Sequence, residues 1–174
     1  MTEKLQQLLN HTPWGRMVHW FGRATDFPEQ VEKLLTNTDE KEIFGELSKN
    51  IEHQDGVFQA TPYMAQALIE LLKEPNTNKE GLLKILLQVY DAVKFQVEEQ
   101  EEPEDEEISL EDDLWPEFED EDEDEMLWEE YEAVNFYYWQ KHSYDAIVEA
   151  KELIKSFKNS ESSTVKELAE RFFE

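Results

Sequence analysis

TPYMAQALIELLKEPNTNKEGLLKILLQVYDAVKFQV, residues 61–97, decides the fold class. Its first half puts Tyr63, Met64, Ala67, Leu68, Leu71 and Leu72 on one broad stripe at helical spacing. Thr61 before Pro62 reads as the cap that starts this helix, and Pro75-Asn76 as the stop. From about Asn78 the period resumes through Leu82, Leu83, Leu86, Leu87, Val89, Tyr90, Val93 and Val97, apolar enough to be largely buried. Two helices of this length joined by a short turn form an antiparallel hairpin.

The same reading extends in both directions. Asp26, with Pro28 and Glu29 behind it, opens a short helix carrying Val31, Leu34 and Leu35. Thr38 or Asp39 opens the next, whose buried face is Ile43, Phe44, Leu47 and Ile51; Gly56 then marks a turn. Towards the C-terminus, Leu127, Tyr131, Val134 and Tyr138 restore the helical period. Ser143 reads as the cap of a helix through Ile147, Leu153 and Ile154, and Ser162 or Ser163 as the cap of a last one through Val165, Leu168 and Phe172. The expected hairpins are 28–36 with 39–52, 60–73 with 78–97, and 126–142 with 144–158. No strand pattern is visible. The fold class is all-α, and consecutive hairpins at a spacing of about 35–45 residues suit a short α-solenoid.

Charge separates the chain into parts. The net charge is −27, yet residues 98–132 alone hold 22 acids and no base. The expected organisation is one domain over 1–174: helix pairs over 1–97, a flexible acidic insertion over 98–125, and C-terminal helices over 126–174. Such an acidic block repels nucleic acid and anionic membranes and attracts cationic partners. One reading makes it a solvated linker; the other makes it a binding surface.

The interleaving of acid and aromatic favours a closer look at part of it. Glu111, Asp112, Asp113, Trp115, Glu117, Phe118, Glu119, Asp120, Glu121 and Asp122 are the candidate partner-binding residues. Carboxylates steer a basic partner in, and desolvated aromatics supply hot-spot energy of about 2 kcal/mol or more each. Alternatively, Trp115 and Phe118 fold back onto the chain's own core.

Catalytic and cofactor motifs do not emerge. The chain has no cysteine, so it has no disulfide, no thiol nucleophile and no zinc–thiolate site. His11, His19, His53 and His142 form no helical metal pair, and His19 and His53 are expected to order turns or inter-helix contacts. Five scattered glycines build no phosphate-cradling loop, and the run Asp120 to Glu125 lacks the central glycine of a calcium loop. The expectation is a non-enzymatic protein without cofactor or metal. The first four residues lack the start of an export signal and no apolar run approaches the ~20 residues that span a bilayer, so the expected location is the cytoplasm.

The stretch His19-Trp20-Phe21-Gly22-Arg23-Ala24-Thr25-Asp26-Phe27-Pro28, then His53-Gln54-Asp55-Gly56, then Ala60-Thr61-Pro62-Tyr63, resembles bacterial HEAT-repeat proteins. Those carry H-x-[YF]-G-x-A-x-D-x-P, then H-Q-G, then A-T-x-Y before an apolar helix. The match covers about residues 14–97; Asp55 is an insertion within the second element, and the acidic stretch lies outside it. The resemblance implies a short solenoid. Small proteins of this type look like the immunity proteins encoded beside bacterial toxins, so the resemblance implies a protein that neutralises a basic toxin, such as a nuclease. A HEAT-like adaptor in a cytoplasmic complex, and an acidic nucleic-acid mimic or chaperone of basic proteins, are the alternative expectations.

Overall fold

The structure, a computed structural model, describes residues 1–99, 109–129 and 133–173. In chain order the helices are α1 (Glu3–His11), α2 (Phe27–Leu35), α3 (Glu40–Asn50), α4 (Thr61–Leu71), α5 (Lys79–Glu99), α6 (Leu110–Asp113), α7 (Glu121–Glu129), α8 (Ala133–Glu149), α9 (Lys151–Ser156) and α10 (Ser163–Arg171). The chain is mostly helical. One small antiparallel hairpin, β1 (Val18–His19) with β2 (Gly22–Arg23), corrects the expectation of no strands. Two-residue strands are too short to show alternation in the sequence.

The α4–α5 hairpin is the centre of the molecule, with α2 against α4, α3 against α5, and α8 against both. Helix α4 is buried nearly all round, including Glu70. That carboxylate is compensated rather than stranded. It accepts hydrogen bonds from Thr2 Oγ1 at 2.9 Å and Lys73 Nζ at 2.6 Å. Thr2 is also the N-cap of α1, where its hydroxyl oxygen accepts from Leu5 N, so one hydroxyl starts α1 and docks it on α4. Between α3 and α5, Ser48 Oγ donates to Gln88 Oε1 at 2.8 Å, and Gln88 Nε2 donates to Ser48 O at 2.7 Å and Glu52 Oε2 at 2.6 Å.

Two local expectations need correction. Thr61 does not cap α4; it is the first helical residue, and its buried hydroxyl accepts from Phe58 N and donates to Ile51 O, tying the preceding turn to the end of α3. Ser143 is not a helix start. It lies inside α8, fully buried, and its Oγ donates to Trp139 O at 2.7 Å, a bond back along its own helix that lets a serine sit in the middle of one. Of the insertion expected over 98–125, Glu98 and Glu99 are the end of α5, residues 100–108 lie outside the described residues, and Leu110, Leu114 and Trp115 pack on the rest of the chain. Ser162, by contrast, caps α10 as expected, accepting from Val165 N.

Candidate functional site: an acidic strap pinned over the hairpin

Residues 109–129, the strap, carry acids throughout and no base. Unsupported, such a segment expands through self-repulsion. Its apolar residues hold it instead. Leu110 and Leu114 pack against the main core. Trp115 turns the other way, into a second small core with Val18 and Phe58, against which Leu127, Trp128 and Phe136 pack. Within it Phe58 and Trp128 lie 4.3 Å apart, and Trp115 meets Trp128 edge-on at 5.5 Å. Ring pairs in these arrangements contribute about 0.5–1.5 kcal/mol each beyond area burial.

Two arginines of the N-terminal segment fix the strap's backbone. Arg16 and Trp115 exchange hydrogen bonds, Trp115 N to Arg16 O at 2.9 Å and Arg16 Nε to Trp115 O at 2.7 Å. Arg23 goes further. Its Nε and Nη2 grip Asp124 through both carboxylate oxygens at 2.9 and 2.5 Å, while Nη1 donates to Gly15 O at 2.8 Å and Pro116 O at 2.7 Å. The guanidinium also lies 5.6 Å over the Trp115 ring. One side chain thus ties the hairpin, the middle of the strap and α7 together. Its side chain is only 4% exposed, and that of Asp124 16%. The hydrogen bond from Arg23 to Asp124 raises the guanidinium's pKa against the desolvation that lowers it. The planar fork is what makes this possible; a lysine offers no bidentate grip.

Asp113 is the strap's second anchor. Its Oδ2 accepts from Trp139 Nε1 at 2.9 Å, its Oδ1 from Asn135 Nδ2 at 2.7 Å, and its backbone carbonyl from Gln59 Nε2 at 2.7 Å. α6 is thereby joined to α8 and to the turn before α4.

The hairpin supplies the floor. Gly22 has φ +122°, a conformation that L side chains rarely adopt, and lets the chain reverse directly after Phe21. His19 accepts at Nδ1 from Phe21 N, and His53 pairs its backbone N–H and C=O with Gly56; both histidines order turns. Trp20 Nε1 donates to Gly56 O at 3.0 Å, and a Cβ on Gly56 would stand 2.8 Å from the Trp20 ring, so the close approach requires glycine. The placed Trp20 ring stacks beside Trp128, centroids 6.2 Å apart and planes inclined 25°. Trp20, Trp128, Glu119, Glu121, Asp124, Glu125 and Glu129 line one open groove of about 820 Å³.

The candidate residues therefore separate into two sets. Trp115 is 4% exposed and Asp113 is engaged with α8, so both build the chain's own structure and neither is a free contact for a partner. Burial of aromatic surface among Val18, Phe58 and Trp128 draws Trp115 inward, and the hydrogen bonds to Asn135 and Trp139 hold Asp113. Glu111, Glu117, Phe118, Glu119, Asp120, Glu121 and Asp122 are exposed, Phe118 by 82%. The Asp112 side chain lies outside the description. The acid set and the aromatic set meet at the groove, where the sequence had marked Glu119 and Glu121 but neither tryptophan.

No group of three or more His, Asp or Glu side chains is placed to hold a metal ion among the described residues, and no helix there is long and apolar enough to cross a membrane. No family model, curated protein or solved structure matches the chain.

Proposed function

We propose that the chain binds and neutralises a basic protein, with the exposed carboxylates of the strap as the face that meets it, and that the partner is a bacterial toxin such as a nuclease. The observation that carries the reading is the Arg23–Asp124 pair. It holds Glu117, Glu119, Asp120, Glu121 and Asp122 on a folded segment and leaves them exposed. A fixed field of like charge costs a partner less ordering entropy than a mobile tail does, and it raises association rates through steering. A nuclease holds phosphates with Lys and Arg, so its cleft complements this field. The packing of α2 on α4 and α3 on α5 is consistent with hairpins stacked in a HEAT-like manner, and α8, which straddles both helices of the central hairpin, is a departure from simple stacking. The setting proposed is the cytoplasm, as befits a protector of the cell that makes the toxin.

The test is capture of host proteins on the tagged chain, washed at low and then at high salt, followed by co-expression of any basic protein retained. The proposal expects one basic protein that survives the high-salt wash, is harmful when expressed alone and is harmless with the chain present. Reversal of Glu117, Glu119 and Glu121 to Lys is expected to slow its association by about tenfold at low salt. Many basic proteins that all leave at modest salt would instead mean that the charge acts without a dedicated partner.

A further inference from the structure

We infer that the groove lined by Trp20, Trp128 and the strap's carboxylates is an arginine-reading pocket, a place for one protruding guanidinium of the basic partner; the inference rests on the proposed function and adds a specific contact to it. Among the described residues, four of the groove's carboxylates, Glu119, Glu121, Glu125 and Glu129, make no ion pair or side-chain hydrogen bond, whereas Asp124 is committed to Arg23. Two stacked indoles, both partly exposed, lie among them. A cation seated here gains the attraction of a ring face and of carboxylates at once. The chain already uses this chemistry next door. Arg23 lies over the Trp115 ring while its fork holds Asp124, and the strap supplies both partners.

The geometry selects arginine over lysine. A guanidinium is planar and weakly hydrated, so it lies flat on an indole while its edge reaches a carboxylate; an ammonium is a compact, strongly hydrated point charge. Charge attraction alone treats the two alike. The preference for arginine is therefore what separates a pocket from a general acidic field.

The experiment titrates the full-length chain with tetra-arginine and with tetra-lysine peptides of equal charge, following the indole Nε1–H resonances of its five tryptophans. The pocket predicts that tetra-arginine binds about tenfold tighter, and that the Trp20 and Trp128 resonances shift most. It predicts further that Glu121→Gln with Glu125→Gln, both exposed and without an ion pair among the described residues, removes most of that advantage without changing the melting temperature. Trp128→Phe keeps a ring in the small core and is expected to weaken the arginine preference in part. Equal affinity for the two peptides, with no indole shift, overturns the pocket and leaves the acidic binding face standing. No measurable binding of either peptide at low salt overturns both.

Discussion

Helix α5 and the strap at 109–129 are both held to the same body, by opposite means. In α5, apolar side chains recur along the helix from Leu82 to Val93 and are buried without interruption. In the strap, α7 has no fully buried residue, and the segment is held by Leu110, Leu114, Trp115, the Asp113 hydrogen bonds and Arg23. The stability of α5 is spread over many contacts, so no single side chain decides it. That of the strap is concentrated in these five side chains, which must hold a segment that repels itself. A segment this acidic has few positions left for burial, and each of those carries more.

The first way to break the comparison is Trp115→Ala. Removing a buried indole from a small core costs about 3–5 kcal/mol, and urea denaturation should show it, with loss of structure starting in the strap while α4 and α5 persist. Arg23→Gln comes next. It removes the grip on Pro116 and leaves Asp124 largely buried without a base, at a cost of about 3 kcal/mol in the same measurement; Arg23→Lys should recover only part, because the bidentate contact is lost. Asp113→Ala withdraws acceptors from Trp139 Nε1 and Asn135 Nδ2, an effect of about 1–3 kcal/mol that is visible as a shift of the Trp139 indole resonance.

Acid sharpens the contrast on a smaller scale. The Asp26 carboxyl is held below its ordinary pKa chiefly by the His19 imidazole, whose Nε2 stands 3.9 Å from Oδ1, against burial that pushes it up. A lowered folded value means that its stabilisation is full above the unfolded pKa of about 3.9 and is lost as pH falls through the folded value. Asp26→Asn should therefore lower stability at neutral pH, where the contribution is full, and flatten the acid limb, so that the two proteins converge in strong acid. The smallest effect is expected from Glu117→Gln or Glu121→Gln, within about 0.5 kcal/mol, since both are exposed and neither makes an ion pair among the described residues.

The helices were legible because burial on one face imposes a period, and α2, α3, α4 and α5 lie within about two residues of the positions that the period marks. Ser143 misled because a serine inside a helix and a serine before one look alike in sequence; only the buried Trp139 carbonyl distinguishes them. The strap was half legible. Trp115 stood out as an aromatic with no reason to be in a linker, yet the side chain that makes sense of it, Arg23, lies more than ninety residues earlier in the chain. α1 escaped notice, although Leu5 is fully buried and Thr2 reaches Glu70 on α4. The groove was invisible for the same reason as the clamp: Trp20 and Trp128 become neighbours only once Gly56 and the hairpin have placed the first of them.

The central claim is that the acidic strap is a pinned surface and not a tail, and amide hydrogen exchange of the full-length chain reads it directly. The account predicts that the Trp115 amide, bonded to Arg16 O, and the amides of α7 exchange well below free-peptide rates, and that Arg23→Gln releases the strap while α4 and α5 stay protected. Exchange of 113–129 at free-peptide rates in the unaltered chain would contradict it.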